Sequence, residues 1–259
     1  MKNIFEARSI TKDFHIEGLF GGKKRVVRAL DNVSVCMEAG SVMAVVGESG
    51  SGKTTFGRCA AGLEIQDSGI ILFEGKPVDF KDRETRRKIQ YIFQDTYGSL
   101  NPRIRAGAAV MEAISHCFGI SGKELEAEAF KCLFDVGLSE REFYKYPHEL
   151  SGGQRQRIVI ARALAVKPEL LIADEPVSSL DVSVQAQILS LFLGLNRKGI
   201  SIIFITHDLR IVRALADNVT VFKNGKIVES GPVASVYNRP KDPYSALLIS
   251  SVPGTGKKR

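Results

Sequence analysis

The sequence has no apolar run approaching the ~18 residues needed to cross a bilayer as a helix, so no transmembrane segment is expected. The stretch Met1 to Arg8 carries charges with no apolar core behind it, which argues against a signal peptide. Cysteine is scarce: Cys36, Cys59, Cys117 and Cys132 are scattered without paired ligand spacing. That spacing suggests neither a disulfide framework nor a zinc site, and points to small core residues or inert thiols. Internal repeats and low-complexity segments are missing too. These absences lead to the expectation of a protein made and kept in the cytosol. What is present is ordinary for a globular chain: 44% hydrophobic and 25% charged residues over 259 positions. The length suits one large domain, or one domain with a subdomain inserted in it. The net charge of +7 is compatible with an anionic partner such as nucleotide, nucleic acid or a membrane surface. Much of it lies in the clusters Lys23-Lys24-Arg25, Arg86-Arg87-Lys88 and Lys257-Lys258-Arg259, which read as solvated faces.

The N-terminal part reads as strands at Ile4 to Ile10 and Val33 to Met37, separated by a Gly- and Lys-rich loop at 18–24. Ser41 to Val46 is almost wholly apolar, as a strand buried on both faces of a parallel sheet must be. A helix-compatible stretch runs from Lys53 to Leu63, and Ile70 to Phe73 is a further strand. The middle then changes character. Ser121-Gly122-Lys123-Glu124 has capping-box spacing, followed by Leu125, Ala129, Leu133 and Val136 at helical intervals. A helical subdomain is therefore expected over roughly residues 95 to 165, with boundaries loose by several residues. Strand-like runs resume at Leu170 to Ala173 and Ile200 to Thr206, with a crossover helix from Val184 to Leu195 between them. Asn224-Gly225 is a strong hairpin signal between Asn218 to Phe222 and Lys226 to Glu229.

Three segments carry chemistry. Gly47-Glu48-Ser49-Gly50-Ser51-Gly52-Lys53-Thr54 fits G-x-x-x-x-G-K-[ST], with a buried strand before it and a helix after it. Its glycines let successive N–H groups turn toward phosphate oxygens, and the following helix adds its positive dipole end. Lys53 would reach the β- and γ-phosphates of a nucleotide, and the Thr54 hydroxyl would bind Mg²⁺. Leu170 to Asp174, with Glu175 next, is an apolar strand ending in two acids, at the sheet edge where open α/β folds bind ligands. Asp174 would hold Mg²⁺ through water, and Glu175 would orient and polarise the attacking water. An acidic pair after a strand is often only a solvated loop; beside a phosphate-binding loop it points to phosphoryl chemistry. Leu150-Ser151-Gly152-Gly153-Gln154 opens an Arg- and Ala-rich helix. It reads either as a plain helix cap or as a second phosphate grip. One nucleotide rarely needs two such helix starts, which suggests that the second serves the nucleotide of a neighbouring subunit.

On these motifs the sequence resembles the nucleotide-binding subunits of ATP-binding-cassette (ABC) transporters over nearly its whole length. The resemblance implies an α/β P-loop NTPase core of ABC type. It further implies an N-terminal antiparallel β subdomain and an inserted helical subdomain, all within one ATP-binding domain over residues 1–259. Gly47 to Thr54, with Thr55 following, looks like the Walker A loop. Leu170 to Asp174 looks like Walker B, with Glu175 as the catalytic carboxylate. Leu150 to Gln154 matches the signature motif, so Ser151, Gly152, Gly153 and Gln154 would contact the ATP of a second cassette. Gln94 resembles the Q-loop glutamine that touches Mg²⁺ and the membrane partner. Ser179, Leu180 and Asp181 resemble the dimer D-loop, and His207 resembles the switch histidine that contacts the γ-phosphate. Phe14 aligns with the aromatic that stacks on adenine. His15, His116 and His148 receive no role.

Ser99-Leu100-Asn101-Pro102-Arg103 after Gln94, and the segment Pro240 to Leu248 with Val252-Pro253, are similar to the oligopeptide, dipeptide and nickel importer branch. Thr96 stands where that branch usually has proline. Longer members carry a cysteine-bearing extension for an iron–sulfur cluster; here no cysteine lies beyond Cys132, so no cluster is expected. The branch-type tail would run from about 232 to 259. The implied protein is an ATPase that uses ATP and Mg²⁺ to power import of peptides or nickel, bound peripherally to the cytoplasmic face of the cell membrane. Its implied partners are transmembrane permease subunits, a second ATPase subunit (a heterodimer preferred, a homodimer the alternative) and, indirectly, an extracytoplasmic binding protein. The alternative, a cassette acting on nucleic acid or ribosomes, generally needs two cassettes or a long coiled-coil insertion, so no nucleic-acid partner is expected.

Overall fold

A computed structural model describes residues 2–16 and 25–251. The expected loop at 18–24, residues 23 and 24 of the first basic cluster, Val252-Pro253 and the basic cluster at 257–259 lie outside the described residues. The chain divides into two compact units, one from Met1–Phe80 with Ser201–Arg259, the other Lys81–Ile200.

The first unit opens with β1 (Asn3–Ile16) and β2 (Arg25–Glu38), an antiparallel pair that runs further than their apolar cores. The extension is set by pairing, because Phe14 faces Val27 and His15 faces Val26. Next come β3 (Val42–Val46), α1 (Lys53–Ala60), β4 (Ser68–Phe73) and the short β5 (Lys76–Pro77). The first sheet has the order β2-β1-β4-β5. Every residue of β3 is buried, as the apolar run requires. Helix α1 stops at Ala60, short of Leu63, because Gly62 takes φ +68 and the Leu63 N–H turns back to the Arg58 carbonyl at 2.9 Å.

The second unit holds α2 (Arg83–Lys88), β6 (Ile89–Ile92), α3 (Ala106–Phe118), α4 (Gly122–Asp135), α5 (Glu140–Phe143), α6 (Gly152–Leu164), β7 (Leu170–Asp174) and α7 (Val182–Arg197). Strands β6 and β7 pair in parallel. Ala129, Leu133 and Val136 are buried, as their helical spacing predicts. The capping box expected at Ser121 does not form: Ser121 precedes α4, but its side chain makes no capping hydrogen bond. Gly122 takes φ +64, so the chain leaves Ser121 by a turn that does not aim the third N–H back at the hydroxyl.

The first unit resumes with β8 (Ser201–Ile205), α8 (Leu209–Leu215), β9 (Asn218–Lys223), β10 (Lys226–Pro232), α9 (Val233–Asn238) and α10 (Pro243–Ser250). Within this unit β3 lies between β8 and β9, parallel to both, and β10 returns antiparallel to β9. The turn between β9 and β10 is the expected hairpin, with Asn224 at φ 49 and Gly225 at φ 77. Among the described residues no helix is long and apolar enough to cross a membrane.

Candidate nucleotide site

In the first unit, buried β3 delivers the chain into the loop Gly47–Gly52, and α1 begins at Lys53. The glycines are used. A Cβ on Gly47 would stand 2.2 Å from the Phe222 carbonyl oxygen, and one on Gly52 2.5 Å from that of Ala29. Both have positive φ, which side chains resist. Lys53 is 5% exposed, and its Nζ donates to the carbonyls of Gly47 and Glu48, each at 2.8 Å. The N-cap Gly52 supplies no side-chain cap and the first turn of α1 has no acid, so the helix start stays receptive to an anion. Ser51 Oγ is buried with no hydrogen-bond partner, an orphan that a phosphate oxygen would satisfy. Glu48, Ser49 and Gly50 are exposed, while Thr54 and Thr55 are half-buried on the first turn. These features fit a nucleotide's phosphates.

Also in this unit, His207 follows β8 after Thr206 and is exposed. Its neighbour Asp208 caps α8 by accepting the Arg210 N–H. The Arg210 guanidinium holds the Asp208 carboxyl below its usual range. Phe14 is half-buried on β1, with the Lys12 ammonium 5.3 Å from its ring centroid.

In the second unit, β7 ends at Asp174, which is 3% exposed. The Tyr91 hydroxyl donates to the Asp174 carboxylate at 2.8 Å. Glu175 has φ 45, a left-handed backbone unusual for a side-chain-bearing residue and frequent where function fixes a conformation. The exposed Gln94 reaches it, Nε2 to carboxylate oxygen at 3.2 Å. The structure therefore brings Gln94, Asp174 and Glu175 together at the ends of β6 and β7.

The signature segment forms a reciprocal capping box at the start of α6. Ser151 Oγ accepts the Gln154 N–H at 3.2 Å, and the Ser151 N–H donates to Gln154 Oε1 at 3.0 Å. Gly153 packs so closely that a Cβ would meet Val184 Cγ1 at 2.5 Å. Ser151 remains exposed, with its own O–H proton available to an outside acceptor. Ser179 and Asp181 are exposed and Leu180 half-buried; Asp181 caps α7 by accepting the Val184 N–H at 3.0 Å. That N–H holds the Asp181 carboxyl below its usual range.

Two supporting residues were not read from the sequence. Tyr91 steadies Asp174, and Glu142 accepts the Gln154 side-chain amide at 3.2 Å. No local sequence signal marks Tyr91, which lies 83 positions from Asp174. The spacing Ser139 to Glu142 is itself a capping-box signal, and the Glu142 carboxylate accepts both the Ser139 N–H at 2.9 Å and the Ser139 hydroxyl at 2.6 Å.

A phosphate-binding loop between a buried parallel strand and a helix, in an α/β frame, defines the class of P-loop nucleoside triphosphatases. The family model described as ABC transporter matches residues 30–178. Dipeptide transport ATP-binding protein DppF of Escherichia coli is 40% identical over 96% of this chain and 76% of its own length. Di/tripeptide transport ATP-binding protein DppF of Pseudomonas aeruginosa is 41% identical over 98% of this chain and 80% of its own. The dimeric post-hydrolysis structure of the ATP-binding cassette MJ0796 with ADP and Pi is 29% identical, with a TM-score of 0.78 over 88% of this chain and 98% of that one. The chain belongs to the ABC transporter family. It is an ATPase whose activity is coupled to transport.

Proposed function

We propose that this chain hydrolyses ATP to drive peptide import through a membrane transporter. The observation that carries this reading is the 40% identity, along nearly the whole chain, with a dipeptide transport ATP-binding protein. The phosphate-binding loop and the Gln94–Asp174–Glu175 set supply the chemistry such a subunit needs.

Within Gly47 to Lys53 the phosphates are held by backbone N–H groups other than that of Glu48, by Ser51 Oγ and by the Lys53 ammonium, with Thr55 on the same first turn. Lys53 gives up the carbonyls of Gly47 and Glu48 when a phosphate oxygen is offered. Thr54, Gln94 and Asp174 would hold Mg²⁺, which when bound neutralises charge on the β- and γ-phosphates. Glu175 takes the proton of the attacking water as general base, and the Gln94 amide fixes that carboxylate. His207 contacts the γ-phosphate, and Phe14 stacks on adenine.

Ser151 to Gln154 and Ser179 to Asp181 face a second cassette, with Ser151 donating to that cassette's nucleotide. The working unit is then a dimer of cassettes, preferably two different chains, on permease subunits at the cytoplasmic face of the membrane. An extracytoplasmic binding protein delivers the cargo.

The test is uptake by a deletion strain. Peptide-dependent growth should be lost and restored by the wild-type gene, and Glu175→Gln should not restore it. Loss of nickel uptake with peptide uptake intact would overturn the peptide assignment.

A further inference from the structure

Two parts of the C-terminal segment hold the backbone of the phosphate-binding loop. The Gly225 N–H of the β9–β10 turn donates to the Ser51 carbonyl at 2.9 Å. From α10, the Tyr244 hydroxyl accepts the Glu48 N–H at 3.1 Å. Tyr244 is 7% exposed, and the Lys223 ammonium lies 4.6 Å from its ring centroid. It shares an apolar cluster with Val46, the last residue before the loop, and with Ile249.

The helix that carries this tyrosine is fixed at its start. The Asp242 carboxylate caps the Tyr244 N–H at 2.8 Å. The N–H groups of Lys241 and Asp242 donate to the Glu229 carboxylate on β10, at 2.9 and 3.2 Å. A continuous chain of hydrogen bonds thus leads from β10 through the start of α10 to the loop.

The peptide held by Tyr244 is the one between Gly47 and Glu48. Its N–H points to the tyrosine oxygen, and its carbonyl accepts from Lys53 Nζ. That peptide plane is therefore pinned at both ends. When Lys53 turns to a phosphate the carbonyl loses this donor, and the tyrosine is left to keep the plane in place. A loop held before its ligand arrives loses less freedom on binding, and binds more tightly for it.

We infer that Tyr244 is a positioning residue for the phosphate-binding loop, through which the C-terminal segment sets nucleotide affinity. The inference rests on the reading that this loop holds the nucleotide. Tyr244→Phe keeps the ring, its packing and its cation contact, and removes only the hydroxyl.

With the full chain, the Kd for MgATP and for ADP should rise about two- to tenfold, the equivalent of one net hydrogen bond. In the assembled transporter KM for ATP should rise similarly, with kcat at saturation unchanged. Ile249→Val loosens the same cluster without touching the loop; it should lower Tm and leave Kd unmoved. An unchanged Kd in Tyr244→Phe overturns the inference, as does a Kd shift that Ile249→Val reproduces. Lys53→Ala separates the two readings: if it binds nucleotide as well as wild type, the nucleotide reading itself has failed. If Tyr244→Phe does not fold, Glu229→Gln tests the same chain of bonds. It weakens the acceptor at the start of α10 and should raise Kd by a smaller factor; an unmoved Kd there overturns the inference equally.

Discussion

Replacing Tyr91 by phenylalanine removes one oxygen from the second unit, and the effect follows from where that oxygen points. The hydroxyl donates at 2.8 Å to a carboxylate whose residue is 3% exposed. Water can therefore restore little of the lost contact. A hydrogen bond to a charged group contributes about 1.5–3 kcal/mol net. For a chain of this size each kcal/mol moves Tm by roughly 2–4 °C, so Tyr91→Phe should lower Tm by roughly 3–12 °C. If Asp174 also holds Mg²⁺, a second effect is expected. A partner that orients a ligand carboxylate typically controls metal affinity by about 10- to 100-fold. The Mg²⁺ concentration for half-maximal ATP turnover should rise by a factor in that range, and excess Mg²⁺ should recover much of the rate. The assay is phosphate release by the assembled transporter across an Mg²⁺ titration at fixed ATP, alongside thermal melts without nucleotide. A lowered Tm with an unshifted Mg²⁺ midpoint would refute the metal role of Asp174 and leave Tyr91 a stabilising residue only.

Glu175→Gln should cut steady-state turnover by about 10²- to 10⁴-fold through loss of the general base, while nucleotide binding persists; undiminished phosphate release would remove Glu175 from that role. Ser151→Ala should cost about 0.5–2 kcal/mol of stability by opening the α6 capping box, and should lower ATP turnover beyond what the melting shift explains. Turnover unaffected at a temperature where the variant is fully folded would reduce Ser151 to a helix cap. The Glu142 carboxyl is held below its ordinary value of 4.5, first by the Ser139 hydroxyl, against the opposing effect of burial. A carboxyl depressed on folding contributes stability that is present above its unfolded pKa and lost as pH falls through the folded one. Melting temperature should therefore decline below about pH 4.5, and Glu142→Gln should flatten that part of the profile; an unaltered acid limb in the variant would contradict the assignment.

The sequence made the phosphate-binding loop and the α6 start legible because their geometry is set within a few consecutive residues. Glycines at Gly47 and Gly52 stand where backbone carbonyls leave no room for a Cβ. Ser151 and Gln154 are three apart and close their own box. Buried strands were legible for a similar reason, since β3 and β8 expose nothing and read as apolar runs, over Val42 to Val46 and Ile202 to Ile205. Element ends were less so. Strands β1 and β2 extend beyond their apolar stretches because each supplies the other's hydrogen bonds, a fact of pairing and not of composition. Ser121 had the right spacing for a capping box, yet spacing does not fix the backbone between the partners, and Gly122 turned left-handed.

What stayed hidden were the residues that hold the motif residues still. Tyr91 is 83 positions from the carboxylate it steadies, and Tyr244 is 196 positions from the loop peptide it accepts from. A tyrosine on a strand or near a chain end is ordinary, and nothing local marks it as a support. Such contacts exist only once the sheet has brought distant ends together, so a motif can be recognised without them but cannot be held in shape without them. This also explains why the motif alone underdetermines behaviour: chains sharing the same eight loop residues will differ in nucleotide affinity wherever the side chain facing the Gly47–Glu48 peptide differs. In this chain that side chain is Tyr244, carried by a segment that begins at the Glu229 carboxylate. Nucleotide affinity here is therefore open to change from the C-terminal segment without any change in the loop itself.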